Sequence, residues 1–443
     1  MEKTVIAGLG AAGFSAVTTL RKSGYRGGIV VVDPKPFDLL HPCGIPYALE
    51  GEADPAGLAQ TLAPGSLGVE KITGELSSIN NVTRTISVST PSGVVSVSYD
   101  NLLLCTGSTP VIPPLRGISL AMNKGLFSLS DEASAEAVKA ALKGKKTGVV
   151  IGAGAIGLEA ASALKSHLQS VTVVEKEEEV LPGGLDPDIA RLVRERLEEK
   201  GITFRLGESA DDVFFDGEFR GLSIGRDRVD FEIGICATGF SPNIKAALTA
   251  GVICGQFGIQ TDHFMRTNIQ GIYAAGDCAA TISAVDGRPV GSKLASAAWR
   301  QGAAAAFAIA GTPREYPGSA GCFVTKLCGL EIAGTGFCSA EAFERGFDPV
   351  MAKITSKIKP EYMKKNSELT VKVIADRKSR RILGAQAAGD GAASRINLIA
   401  GAMTFGVNLD RFSFSETAYC PAVSDVWDPL MRAAEGALRR IGG

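Results

Sequence analysis

KTVIAGLGAAGFSAVTTLRKSGYRGGIVVVDP, residues 3–34, reads as strand, glycine turn, helix and strand. An apolar run at residues 5–7 is followed by Gly8, Gly10 and Gly13. A helical stretch then runs through Leu20, and a second apolar run at residues 29–32 ends on Asp33. In such a unit the first glycine makes the tight turn, the second lets a pyrophosphate approach the backbone, and the third lets helix and strand pack closely. The helix N-terminus receives phosphate charge, and the acid ending the second strand accepts hydrogen bonds from a ribose diol. The same grammar returns at residues 146–182, KTGVVIGAGAIGLEAASALKSHLQSVTVVEKEEEVLP, with Gly152, Gly154, Gly157 and a strand ending on Glu175. One such glycine pattern is a weak signal. Two, each between strand and helix with an acid about 20 residues on, predict an α/β chain with two Rossmann-like dinucleotide-binding folds.

Candidate contacts to the first dinucleotide are Gly8, Gly10, Ala11, Ala12, Gly13 and Asp33; to the second, Gly152, Gly154, Ile156, Gly157 and Glu175. Two dinucleotides in one chain pair economically as a resident flavin, FAD, and a visiting nicotinamide whose hydride it accepts. A carboxylate repels a 2′-phosphate, so Glu175 favours NADH over NADPH, and no arginine stands in residues 176–182 to take that phosphate. Lys176 works slightly against this preference, so NADPH stays possible.

The chain has 443 residues, enough for roughly three domains. Hydrophobic residues make up 45% and charged residues 21%, a balance that excludes disorder as the dominant state. Lys plus Arg number 46 against 47 for Asp plus Glu, leaving no broad basic surface for nucleic acid or anionic lipid. The glycine-broken start fits neither a signal peptide nor a membrane span, so a cytoplasmic protein is expected, with no nucleic acid and no membrane as partner. Nine cysteines without a CxxC pair, and only three histidines (His41, His167, His263), point away from structural zinc, any other metal site and a disulfide scaffold. Past residue 316 the pattern changes to β-like runs at 369–376 and 382–389 and a helical stretch at 392–406, an α+β domain following the turn at 315–318.

Most cysteines sit in apolar runs, where a thiol behaves as a small hydrophobe. Cys43, ten residues after Asp33 in FDLLHPCGIPYALEGE, is the redox candidate. The following Gly44, Ile45, Pro46 and Tyr47 read as a helix opening, a setting that favours a thiolate; an inert buried thiol is the alternative. His41, two residues before, either assists that thiol or points away.

These residues resemble the flavin-dependent pyridine nucleotide-disulfide oxidoreductases, and within them a single-cysteine branch of coenzyme A disulfide reductases, NADH oxidases, NADH peroxidases and persulfide or polysulfide reductases. The likeness spans nearly the whole chain. LLLCTGSTP (102–110, with Thr106 and Gly107) and ICATGFSPN (235–243, with Gly239) look like the family's paired ATG turns. TNIQGIYAAGDCA (267–279) looks like its second flavin motif, which makes Asp277 a ligand of the ribityl chain, and residues 293–311 resemble the helix along the flavin ring. Related disulfide reductases use CxxxxC, but Ala48 stands five residues after Cys43. What the resemblance implies is a lone Cys43 cycling between thiolate and a mixed disulfide or sulfenic acid. CGIPY is nearest the coenzyme A disulfide reductase pattern, and Ala11 and Ala12 replace the turn histidine of the peroxidases.

The resemblance further implies a homodimer in which SETAYCPAVSDVWDP (415–429) crosses to the partner's site. Tyr419 there corresponds to a proton donor, and Tyr362 to a second such tyrosine; interface or core tyrosines are the alternative. Ala422 departs from the family's second proline, and Cys420 beside Tyr419 is a candidate resolving thiol or a packing residue. Glu159 matches an acid near the nicotinamide, with a solvated or packed helix residue as the alternative, while Ala155 replaces an aromatic gate. The implied domains are 1–115 with 245–315 for FAD, 116–244 for NAD(P), and 316–443 for dimerisation. The expected activity is NAD(P)H-dependent reduction of a disulfide, persulfide or polysulfide, coenzyme A included. An NADH oxidase reducing oxygen and a non-catalytic NADH-binding flavoprotein sensor are the alternatives.

Overall fold

The computed structural model describes residues 2–61 and 68–442. By its contacts the chain divides into two compact units, one of Met1–Pro42, Pro55–Thr109 and Phe240–Ser319, the other of Cys43–Asp54, Pro110–Gly239 and Ala320–Gly443.

The first unit is built on a five-stranded parallel sheet in the order Ile272–Ala274, Asn101–Leu104, Lys3–Ala7, Gly28–Asp33, Glu70–Thr73. All but the edge strand Glu70–Thr73 carry mostly apolar, buried runs, as a sheet covered on both faces requires. Ile6, Val31 and Leu103 enter one core with the helices Ala11–Lys22 and Ala295–Ile309. Val5, Val30, Leu102 and Leu104 enter the other, against the antiparallel meander Glu75–Asn80, Thr85–Thr90, Gly93–Ser98. The two helices touch so closely that a side chain at Gly302 would overlap the Ala12 carbonyl, which is why a glycine stands at 302.

The second unit repeats the parallel sheet, in the order Leu126–Phe127, Ile233–Cys236, Thr147–Ile151, Ser170–Glu175, Ile202–Leu206. The helix Ala155–Lys165 packs beside it. Its C-terminal part is a five-stranded antiparallel sheet in the order Phe323–Leu327, Leu330–Gly336, Ile382–Gly389, Glu368–Asp376, Pro349–Lys357. Helices Ala392–Thr404 and Pro429–Gly442 pack on it. The expected strands at 369–376 and 382–389 are present, but both are buried throughout rather than alternating, because the sheet is covered on both sides. Lys372 is buried within it, its ammonium 2.6 Å from both Asp186 and Asp188 at the start of the helix Pro187–Glu199. Asp186 also accepts from the Ser339 amide (2.8 Å) and hydroxyl (2.9 Å).

Candidate active site

The two glycine turns are copies of one another. Gly8 and Gly152 have φ of +105° and +106°, a region open to glycine, and a Cβ on either would strike the next strand's backbone at Cys105 or Ala237. Gly13 and Gly157 face the carbonyls of Gly8 and Gly152 with no room for a methyl group. Leu9 N–H donates to Asp33 Oδ2 (2.6 Å), and Ala153 N–H to Glu175 Oε2 (2.7 Å), so each strand-end acid braces its own turn. Gly10 and Gly154 differ: nothing lies within 4 Å of where their Cβ would be. They cap helices Ala11–Lys22 and Ala155–Lys165 with no side chain bonded to the first turn and no acid in it. Internal packing therefore does not explain these two glycines, whereas an open cradle of unpaired amides fits a pyrophosphate.

The other expected residues fall on the same edges. In the first unit Thr106 donates its hydroxyl to the Asn243 carbonyl (2.7 Å), and Gly107 faces open space at φ +66°. Asp277 accepts a hydrogen bond from Ser108 Oγ (2.8 Å), and burial pushes its carboxyl above the usual aspartate range. In the second unit Gly239 faces open space beyond the strand Ile233–Cys236, and Ile156 is exposed on the first turn of its helix. The open glycines and paired acids fit FAD in the first fold and a nicotinamide dinucleotide in the second.

Cys43 is exposed in the turn Pro42–Gly44, which leads into the six-residue helix Ile45–Glu50. Pro46 favours a helix start there, and Gly51 at φ +87° ends it. Ala48 is buried, so the position where a second thiol would stand serves packing. Of the nine cysteines only Cys43 and Cys420 are exposed. Cys338 shows the opposite environment: burial and the Asp186 carboxylate push its thiol up to about 12.

Sequence reasoning missed how that short helix is held. His167 Nε2 lies 2.6 Å from the Leu49 carbonyl, and Ser162 Oγ donates to Glu50 Oε1 (2.5 Å). The Tyr47 hydroxyl accepts from the Lys326 amide at 3.4 Å. Glu159 lies in the same group, accepting from Thr325 Oγ1 at 2.7 Å, and burial pushes its carboxyl above the usual glutamate range. Glu159 and Tyr47 stood in stretches already singled out, but His167, Ser162, Glu50 and Thr325 had no motif to announce them, because they come together only through packing of segments far apart in the chain. Lys35, whose ammonium is 2.7 and 2.6 Å from the two Asp33 oxygens, was missed likewise. Tyr362 and Tyr419 are both exposed, and the neighbouring Tyr362 hydroxyl pushes the Tyr419 hydroxyl above its ordinary value. His41 is exposed, with its amide bonded to the Leu58 carbonyl.

Residues 2–302 match the pyridine nucleotide-disulphide oxidoreductase family, and residues 322–430 match its dimerisation domain. The chain belongs to the pyridine nucleotide-disulphide oxidoreductases. This oxidoreductase is 32% identical over 441 residues, 97% of each chain, to the NAD(P)H coenzyme A polysulfide/persulfide reductase of Pyrococcus horikoshii. It is also 32% identical over 450 residues, 99% of each chain, to an NADH oxidase of Methanocaldococcus jannaschii. Among solved structures it resembles an NAD-dependent persulfide reductase from A. fulgidus with TM-score 0.95 and 28% identity, covering 100% of this chain and 84% of that one. Like its family, this oxidoreductase is an enzyme of FAD and NAD(P)H. Among the described residues no helix is long and apolar enough to cross a membrane.

Proposed function

We propose that this enzyme passes the electrons of NADH through FAD to a sulfur acceptor (a disulfide, persulfide or polysulfide, with coenzyme A derivatives foremost) at Cys43. The observation that carries it is the exposed Cys43 at the head of a helix that offers buried Ala48 in place of a second thiol. FAD, when bound, takes a hydride from the nicotinamide and makes two electrons available to sulfur. Gly8, Gly10, Ala11, Ala12, Gly13, Asp33, Thr106, Gly107 and Asp277 are its proposed contacts; Gly152, Gly154, Ile156, Gly157, Glu175 and Gly239 are those of NAD.

For a disulfide R–S–S–R′, the Cys43 thiolate attacks one sulfur, and the other leaves as a thiolate that Tyr419, beside Tyr362, protonates. Two electrons from NADH then split Cys43–S–S–R, releasing the second thiol and restoring Cys43. The net change is NADH + H⁺ + RSSR′ to NAD⁺ + RSH + R′SH. The proposed assembly is a homodimer, and the proposed location the cytoplasm, where thiols stay reduced. The domain limits proposed from the sequence, with 316–443 as the dimerisation domain, accompany this assembly.

A second reading, reduction of oxygen through a Cys43 sulfenate, is favoured by the NADH oxidase among the 32%-identical relatives. Aerobic and anaerobic NADH oxidation with oxygen, peroxide, coenzyme A disulfide, other small disulfides and polysulfide separates the two. Fast anaerobic turnover with a sulfur acceptor is expected; fast turnover with oxygen alone overturns the sulfur assignment.

A further inference from the structure

The two strand-end acids are braced by the same backbone donors. Leu9 N–H donates to Asp33 Oδ2 at 2.6 Å and Lys35 N–H to Oδ1 at 2.9 Å; Ala153 N–H donates to Glu175 Oε2 at 2.7 Å and Glu177 N–H to Oε1 at 3.1 Å. In each fold one donor lies between the first two glycines and the other two residues past the acid. What differs is the side chain at that second position. Lys35 folds back and sets its ammonium across the carboxylate, 2.7 Å from Oδ1 and 2.6 Å from Oδ2, whereas Glu177 is an anion that pairs with Lys176 at 3.6 Å. A carboxylate accepts about four hydrogen bonds, two on each oxygen. Asp33 therefore has its full set, and among the described residues Glu175 has half of one. Lys35 is not a loose surface side chain. Pro34 and Pro36 flank it, which restricts the backbone on both sides, its amide closes a turn on the same carboxylate, and its side chain is 25% exposed against 2% for Asp33. Lys71, on the adjacent strand Glu70–Thr73, is committed to the Phe37 carbonyl (2.8 Å) and Asp38 (3.1 Å).

The two hydroxyls of a ribose diol ask for one oxygen each of a carboxylate, the same face that the Lys35 ammonium spans. We propose that Lys35 is an internal stand-in for the adenosine ribose of FAD: its ammonium holds the diol-binding face of Asp33, and a dinucleotide gains that face only by displacing it. The buried carboxylate is then never without a partner, which a lone buried charge would make costly to the fold. Lys35 lowers the affinity of the first fold for any adenosine dinucleotide, so that occupancy depends on the further contacts a flavin makes. Glu175 stays open to a nicotinamide that exchanges in every turnover. This concerns cofactor retention alone and holds whichever acceptor the enzyme reduces.

The sign of the effect is diagnostic. Removing a cation ordinarily weakens the binding of an anionic ligand, whereas removing a competitor strengthens it. The test is fluorimetric titration of full-length protein stripped of flavin, with FAD and with FMN, which carries the flavin and one phosphate but no adenosine. Lys35→Met should bind FAD about three- to tenfold more tightly than wild type, with FMN unchanged. Lys35→Arg, which keeps a cation that grips a carboxylate with two parallel bonds, should bind FAD no more tightly than wild type. Stripped of flavin, Lys35→Met should melt below wild type, and saturating FAD should raise its melting temperature by more. FAD binding that is unchanged or weaker in Lys35→Met, a gain of equal size for FMN, or the same gain in Lys35→Arg overturns the assignment. If Lys35→Met is insoluble without flavin, release of FAD from the loaded proteins decides, followed as the rise in flavin fluorescence after dilution. Release slower than wild type supports the assignment, and release as fast or faster overturns it.

Discussion

At the scale of single residues, the nine cysteines are sorted by environment. Four are buried, and Cys43 stands exposed in a turn. Cys43→Ser should retain FAD and its reduction by NADH, because the glycine turns, Asp33, Asp277 and Glu175 are untouched, yet lose sulfur-acceptor turnover. In anaerobic titration the oxidised wild type should take up about four electrons per subunit and the variant about two. Glu175 makes the coenzyme prediction. Among the described residues its carboxylate accepts from the Ala153 and Glu177 amides, leaving acceptor capacity for ribose hydroxyls, while exposed Lys176 leans on Glu177 at 3.6 Å. Steady-state kcat/KM should be higher with NADH than with NADPH.

At the scale of elements, the glycines of each turn divide into those the fold needs and those a ligand needs. Gly10→Ala places a methyl group in open space on extended backbone, so apoprotein stability should hold or rise by up to about 1 kcal/mol while retention of FAD falls at least tenfold. Gly13→Ala drives the same methyl group into the Gly8 carbonyl and should lower unfolding stability by about 1–3 kcal/mol or more. Denaturation of the apoproteins and fluorimetric FAD titration check the pair. A further element-level joint is Lys372 between Asp186 and Asp188. Lys372→Met leaves a buried carboxylate without its cation and should cost about 3–5 kcal/mol in urea unfolding.

At the scale of the whole molecule, the described chain leaves apolar side chains in solvent within the dimerisation-domain match: Phe414, Val423, Val426 and Trp427, beside Tyr362 and Tyr419. Such a run is costly on a monomer and marks a surface that a partner covers. Val423→Asp combined with Trp427→Asp should shift sedimentation from dimer towards monomer. Sulfur-acceptor turnover should fall at least tenfold with it, because Tyr419 lies on the same segment, while NADH reduction of FAD persists. A dimeric variant with full activity would contradict this.

The sequence alone determined both dinucleotide folds, because tight turns, close helix–strand packing and a strand-end acid each demand particular residues at short, regular spacing. Asp277, Glu159 and the two tyrosines were legible only through resemblance, since each needs partners outside its own motif. Tertiary structure alone decided that residues 43–54 pack with 110–239 and 320–443, and that Tyr47, Glu50, Glu159 and Thr325 meet. It alone set His167 against Leu49 and Lys35 against Asp33. It also buried both faces of the strands Glu368–Asp376 and Ile382–Gly389. The physical reason is range. Backbone turns are dictated within a few residues, whereas the polarity around a carboxyl or a thiol is set by side chains that only the packed sheets and helices bring into contact.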